Sequence, residues 1–141
     1  MATMTTPNEF KFESGKGANN FSSHVYKLML MADGFVFNKD THGTVEDVAA
    51  SEITSAGGYA RKTLVVDSAW AQDDANDKAV ISWVDVTFTP SGAAFDDFCA
   101  AIIYNDTHAG DLIVGCIAFD ATLTVPDGQS YQIQNISKET T

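Results

Sequence analysis

The 141-residue sequence predicts an all-β fold, an antiparallel β-sandwich of jelly-roll or Ig-like type carrying one short helix and an extended N-terminal arm. Three observations predict it. Short apolar stretches alternate with a period of two, Gly-, Pro-, Asn- and Asp-rich turns punctuate them, and a single segment carries a helix start signal. Hydrophobic residues make up 45% of the chain, enough to fill one core, and the length suits one domain. The reading is an arm over 1–23 followed by a sandwich domain over 24–141.

The arm is polar and rich in Thr, Asn and Gly, with Phe10, Phe12 and Phe21 as isolated apolar anchors for the body or for a neighbour. In HVYKLMLM, from His24, the residues Tyr26, Leu28 and Leu30 share one face of a strand, opposite Val25, Lys27 and Met29. Ala32-Asp33-Gly34 breaks that strand, and Phe35-Val36-Phe37 resumes it briefly. The helix candidate is 44–53, TVEDVAASEI, in which Thr44 caps the first turn and Asp47 stands three residues on. Ser55-Ala56-Gly57-Gly58 reads as a turn, because consecutive glycines accept positive φ.

A strand follows over 62–66, and QDDAND at 72–77 forms a polar turn. In AVISWVDVTFT the residues Val80, Val84, Val86 and Phe88 line one face with Ser82. Ile81 and Trp83 lie on the other with Asp85 and Thr87, so one face is expected to be core. Pro90-Ser91-Gly92 ends the strand. Two apolar runs, 98–104 and 112–119, flank the loop Asn105-Asp106-Thr107-His108-Ala109-Gly110 in a hairpin-like spacing. Residues 121–125, the Pro126-Asp127-Gly128 turn and 131–136 close the chain.

Charge bounds the partners. Eight Lys+Arg stand against 19 Asp+Glu, a net charge of −11. On a globule exposing roughly 7,000 Å², such a surface repels phosphate backbones and anionic headgroups, which argues against nucleic-acid and membrane partners. The first residues lack a basic and apolar leader, and no stretch has the ~18 apolar residues of a membrane span, so synthesis and folding in a cytoplasm are expected. Without secretion, the sequons at Asn20, Asn105 and Asn135 carry no meaning. Cys99 and Cys116 sit in strand-like segments and read as small buried hydrophobes.

Signatures of catalysis are missing: G-x-S-x-G, H-E-x-x-H and paired C-x-x-C do not occur. Ser14-Gly15-Lys16-Gly17 fails as a phosphate loop, since Phe10 holds the first glycine position and Gly17 replaces the Mg²⁺-binding hydroxyl. One echo stands out. Asp40-Thr41-His42-Gly43 and Asp106-Thr107-His108-Ala109-Gly110 both read D-T-H before a nearby glycine. Brought together, two imidazoles and two carboxylates would suit a divalent metal; as separate loops, the same residues simply hydrogen-bond their own turns. The acidic cluster Asp73-Asp74-Ala75-Asn76-Asp77 reads as a solvated turn, with calcium as the alternative, although the EF-hand glycine is missing and Lys78 intrudes. Arg61, the sole arginine, adjoins Lys62 beside the glycine turn, a basic spot suited to an acidic partner or to an exposed strand start.

The order of segments is similar to a family of small tailed-bacteriophage virion structural proteins of the capsid decoration, or cement, kind. The matching pieces begin with Asn8-Glu9-Phe10-Lys11, Lys27-Leu28-Met29-Leu30 and Phe37-Asn38-Lys39-Asp40-Thr41-His42. They continue through Asp47-Val48-Ala49-Ala50-Ser51-Glu52-Ile53, the Gly57-Gly58-Tyr59 turn and Lys62-Thr63-Leu64. The last are Val84-Asp85-Val86-Thr87-Phe88-Thr89, Ala101-Ile102-Ile103-Tyr104-Asn105-Asp106 and Ile113-Val114-Gly115-Cys116-Ile117-Ala118-Phe119-Asp120. Where the family often has a second glycine pair, this chain has Ala60-Arg61. The resemblance implies a non-enzymatic part of the particle and leaves head and tail both open.

The expected function is a cement protein on the outside of the head, with no cofactor and no metal. Its expected partners are the major capsid protein and its own copies, a trimer being favoured. Phe10, Phe12 and Phe21 are the expected docking residues, joined by Tyr59, Arg61 and Lys62 of the glycine loop. The alternative is a tail or fibre-base module that recognises a host receptor or another tail protein, with Trp70, Trp83, Tyr59 and Tyr131 as a stacking face. A small hydrolase or metal enzyme would rest on the D-T-H echo alone.

Overall fold

A computed structural model describes residues 4–140, and its architecture is mostly β, antiparallel and sandwich-like. One layer is a four-stranded sheet in the order β2-β1-β6-β7, formed by β2 (Lys62–Thr63), β1 (Tyr26–Ala32), β6 (Phe98–Asn105) and β7 (Leu112–Leu123). The facing layer combines β3 (Val66–Asp73), β4 (Lys78–Trp83) and β9 (Ile136–Thr140) with the short pair β5 (Val86–Phe88) and β8 (Tyr131–Ile133). These two ladders are one ribbon with a break: Trp83 faces Ile136 and, three residues on, Val86 faces Ile133 in unbroken register.

That break overturns the expected facing of 79–89. Ile81 and Trp83 are buried, as are Val86 and Phe88, while Val84 stays exposed. The core-facing parity therefore switches at Val84-Asp85. The partner strand switches with it, burying Ile133 and Ile136 on either side of Gln134-Asn135, where Asn135 takes φ 57. Asn135 donates its backbone N–H to Asp85 Oδ1 at 3.3 Å across the break. Because both strands slip together, pairing survives while the side chains change face.

The main core lies between the layers and joins Leu28, Leu30, Ile81, Trp83, Phe88, Phe98, Ile103 and Val114. A second cluster, Met29, Met31, Ile102, Tyr104 and Ile113, fills the opposite face of the first sheet. It is roofed by Val45 and Val48 of α2 (Val45–Val48), with Phe35 and Phe37 packed alongside. Burial on both faces explains why β1, β6 and the first half of β7 are nearly continuous in apolar residues.

The predicted helix is present but shorter. A Thr44/Asp47 capping box starts α2, and one 3₁₀ turn, Ala49–Ser51, ends it. Gly57 and Gly58 take φ 69 and 78 in the expected turn, and a side chain at Gly57 would strike Ala93 O at 2.7 Å. One strand and the length of another escaped the sequence reading. β3 has almost every residue exposed, and β7 runs through Asp120, at φ 59, into what read as a separate segment.

The N-terminal arm is corrected. It is not extended, because α1 (Asn8–Ser14) folds within it. Thr5 makes an antiparallel bridge to Cys116, with both backbone bonds at 2.9 Å. Phe10 and Phe21 enter the main core, where Phe21 stacks on Tyr26 at 5.0 Å and tilts against Trp70 at 4.8 Å. Through Phe10 and Phe21 this segment contributes to the sandwich's own core, with Met4 and Ala18 packed against it. Apolar area is the reason: two phenylalanines with a core to enter gain roughly 1.5–3 kcal/mol each.

Candidate partner-binding surface

The six residues expected to bind a partner separate into three environments. Phe10 and Phe21 are buried within the chain. Tyr59 and Arg61 belong to a polar network at the sheet edge. Tyr59 is buried; its hydroxyl accepts Leu30 N–H at 2.9 Å and donates to Glu52 Oε2 at 2.7 Å. Arg61 grips the same carboxylate through Nε at 2.9 Å and Nη2 at 2.8 Å, and donates from Nη1 to the Tyr104 hydroxyl at 3.2 Å. Burial and the Glu52 bond push the Tyr59 phenol up, and the Glu52 bond raises the guanidinium further. Arg61 is therefore a fixed brace between three elements and not a free docking cation.

Phe12 and Lys62 remain at the surface. Phe12 is 67% exposed on the outer side of α1, with Lys16 Nζ 5.0 Å from its ring centre. Lys62 lies on the edge strand β2, its ammonium 5.5 Å from the Phe88 ring centre. Beside Lys62 the structure reveals side chains that sequence reasoning passed over. Val65 and Val84 are large exposed hydrophobics that lie side by side, because Val84 N–H bonds Val65 O at 2.7 Å; Val66, also exposed, pairs with the core-facing Trp83 and so belongs to the other face. Lys62, Thr63, Val65, Val84, Asp85, Val86 and Thr87 line a shallow groove of about 180 Å³ there. Its cause is the crossing of the chain from one sheet to the other at 64–65 and the parity switch at Val84, which turns a strand valine outward. A run of valines interrupted by Asp85 was the available signal.

The two D-T-H loops do meet through their backbones. Thr44 bridges Leu112, Ile113 N–H bonds Gly43 O at 2.9 Å and Val45 N–H bonds Asp111 O at 3.1 Å. Their side chains serve turns instead. His42 Nδ1 accepts Asn38 N–H at 2.9 Å between Phe35 and Phe37, and His108 Nδ1 accepts Gly110 N–H at 3.2 Å. Among the described residues no group of three or more His, Cys, Asp or Glu converges as for a metal. The 73–77 acidic cluster forms the β3–β4 turn, closed by Asn76 Nδ2 to Asp73 Oδ2 at 2.9 Å.

The histidines obey a different repeat from the one expected. In Asn20-Phe21-Ser22-Ser23-His24 and Asn38-Lys39-Asp40-Thr41-His42 the same four bonds recur. Asn N–H donates to His Nδ1, Asn Oδ1 accepts the N–H two residues on, and Asn O accepts the next two. The legible motif was N-x-x-x-H. Cys99 and Cys116 are free thiols, and burial pushes that of Cys116 up to about 12. No family model, curated protein or solved structure matches the chain.

Proposed function

We propose that the chain is a bacteriophage virion structural protein: a capsid decoration (cement) protein that binds the outside of the head. Its partners in this reading are the major capsid protein and further copies of itself, as a trimer. The carrying observation is the exposed valine strip, Val65 beside Val84, in the groove next to Lys62. A contiguous apolar strip at a sheet edge is a contact surface, and covering its valines contributes roughly 1.5–3 kcal/mol for each side chain fully buried. Many repeated copies on a lattice sum such modest contacts. The sequence resemblance supports the same reading, and a charge of −11 favours the outer face, away from packaged DNA.

Docking thus passes from the buried Phe10 and Phe21 to the valine strip, with Phe12 as a second exposed contact. The test is a binding assay on undecorated heads with a Val65→Asp/Val84→Asp double variant. Expected is at least about tenfold weaker decoration, with thermal unfolding nearly unchanged and a Val36→Asp control that binds normally. Full occupancy by the double variant overturns the strip as the docking surface. Copy number per purified particle decides head against tail: many copies support the cement reading, and a handful overturns it in favour of a tail module.

A further inference from the structure

Lys138 is 5% exposed, on the core-facing side of β9 opposite Ile81. A lysine there is costly unless its charge has a use. Its ammonium donates to Thr6 Oγ1 and stands 4.9 Å from the Phe10 ring centre. Among the described residues no carboxylate lies within ion-pair distance of Lys138 or of Lys11, although Lys16, Lys27, Arg61 and Lys78 all have one. The chain, with 19 acids, brings two lysines without acids to one place. That place is open. Thr6, Phe10, Lys11, Lys138, Glu139 and Thr140 line a cavity of about 330 Å³, many times the roughly 30 Å³ share of a water molecule.

We propose that Lys138, Lys11 and the Thr6 hydroxyl form a binding site for an oxyanion, a carboxylate or phosphate group. The donors fit. Of the three ammonium protons of Lys138, one is used on Thr6 and another meets the Phe10 ring, which leaves one for a ligand. Thr6 accepts from Lys138 and keeps its own O–H to donate, and Lys11 supplies a second cation from α1. Glu139 does not compete, since its carboxylate is held 2.8 Å from Lys78 Nζ of β4. A bound anion would offset both the desolvation of Lys138 and its repulsion by Lys11, the two causes that lower its proton affinity. The site is independent of the valine strip, and its ligand need not be the head.

The experiment is an amide-resolved NMR titration of the full ¹⁵N-labelled chain with inorganic phosphate and, separately, with acetate, each against sodium chloride at matched ionic strength. Expected are saturable shifts confined to Thr6, Lys11, Lys138 and Thr140, about tenfold weaker binding in Lys138→Met and at least about threefold weaker in Lys11→Ala. Saturation by phosphate alone assigns a phosphate ligand, and by acetate alone a carboxylate. Lys11 is exposed, so Lys11→Ala tests the site even if Lys138→Met misfolds. Affinity should also fall as pH rises above 8, with Lys11 on α1, Lys78 on β4 and Glu139 as the surrounding charges. Shifts that grow linearly with both anions, or saturate equally in Lys11→Ala, overturn the site.

Discussion

Asn105 Nδ2 lies 2.9 Å from His24 Nδ1, joining the end of β6 to the N-terminal segment 81 residues earlier in the chain. Asn105 is fully buried and uses both ends of its amide. Nδ2 also donates to Asn19 Oδ1 at 3.1 Å and Ala18 O at 3.4 Å, while Oδ1 accepts Thr107 N–H at 3.0 Å and His108 N–H at 3.2 Å. The bonds fix the amide's orientation, and with it the His24 tautomer, since Nδ1 must accept from Asn105 and from Asn20 N–H. Replacing Asn105 with Leu strips acceptors from two backbone N–H groups. Expected is a loss of about 2–4 kcal/mol in urea unfolding; a loss under about 0.5 kcal/mol would show that water replaces the amide without cost.

Gly115 shows how closely the N-terminal segment is laid down. A Cβ added there would stand 2.1 Å from Met4 Cγ, 2.2 Å from Met4 Sδ and 3.2 Å from Thr5 O. The Met4 side chain can swing away, but Thr5 is held by its paired bonds to Cys116. Gly115→Val is therefore expected to destabilise by about 1–3 kcal/mol. Hydrogen exchange at Thr5 and Cys116 should rise well above that in the rest of β7. Unchanged protection at those amides contradicts the close fit.

Much of the fold was legible where one residue type had one job. Period-two alternation placed Tyr26, Leu28 and Leu30 together in the main core, and Thr44 with Asp47 made the capping box. Legibility failed where a side chain's face depends on a distant partner. The switch at Val84-Asp85 needs the matching switch at Gln134-Asn135, and β3 carries exposed residues that no alternation reports. For the candidate surface, isolated phenylalanines leave the body and a neighbour both open as a seat, and only the fold shows that Phe10 and Phe21 take the body. Arg61 and Tyr59 were read as free because Glu52 and Tyr104 reach them only in three dimensions.

Deleting residues 1–23 should unfold the sandwich and not merely free it of an arm. The deletion removes Phe10 and Phe21 from the core, and Ala18 and Asn19 from Asn105. Two aromatic side chains at about 3–5 kcal/mol each approach the whole stability of a small domain, about 5–15 kcal/mol. The expected product has no cooperative thermal transition and binds a hydrophobic dye. A truncated chain that melts cooperatively within a few degrees of the parent would restore the arm as a separable unit.

Lys138 provides the pH dependence with the clearest sign. Burial, and secondarily the charge of Lys11, pushes its ammonium down to about 8 in the folded state, against about 10.4 in an unfolded chain. Below pH 8 both states hold the proton and the folded state bears the full penalty. Between pH 8 and 10.4 the unfolded chain binds more protons, so stability attributable to this group rises with pH. Cys116 acts in the opposite sense: its thiol, pushed up to about 12, stays protonated in the fold while the unfolded thiol ionises near 8.5. The total curve therefore hides the lysine, and the difference between parent and Lys138→Met isolates it. Without added anions, Lys138→Met should be the more stable protein at pH 7.5. Its advantage should narrow by about 1–2 kcal/mol by pH 9.5, less than the full shift implies because water reaches the cavity. Urea unfolding of both proteins at the two pH values measures this, and a constant gap would mean that the folded Lys138 keeps its proton throughout.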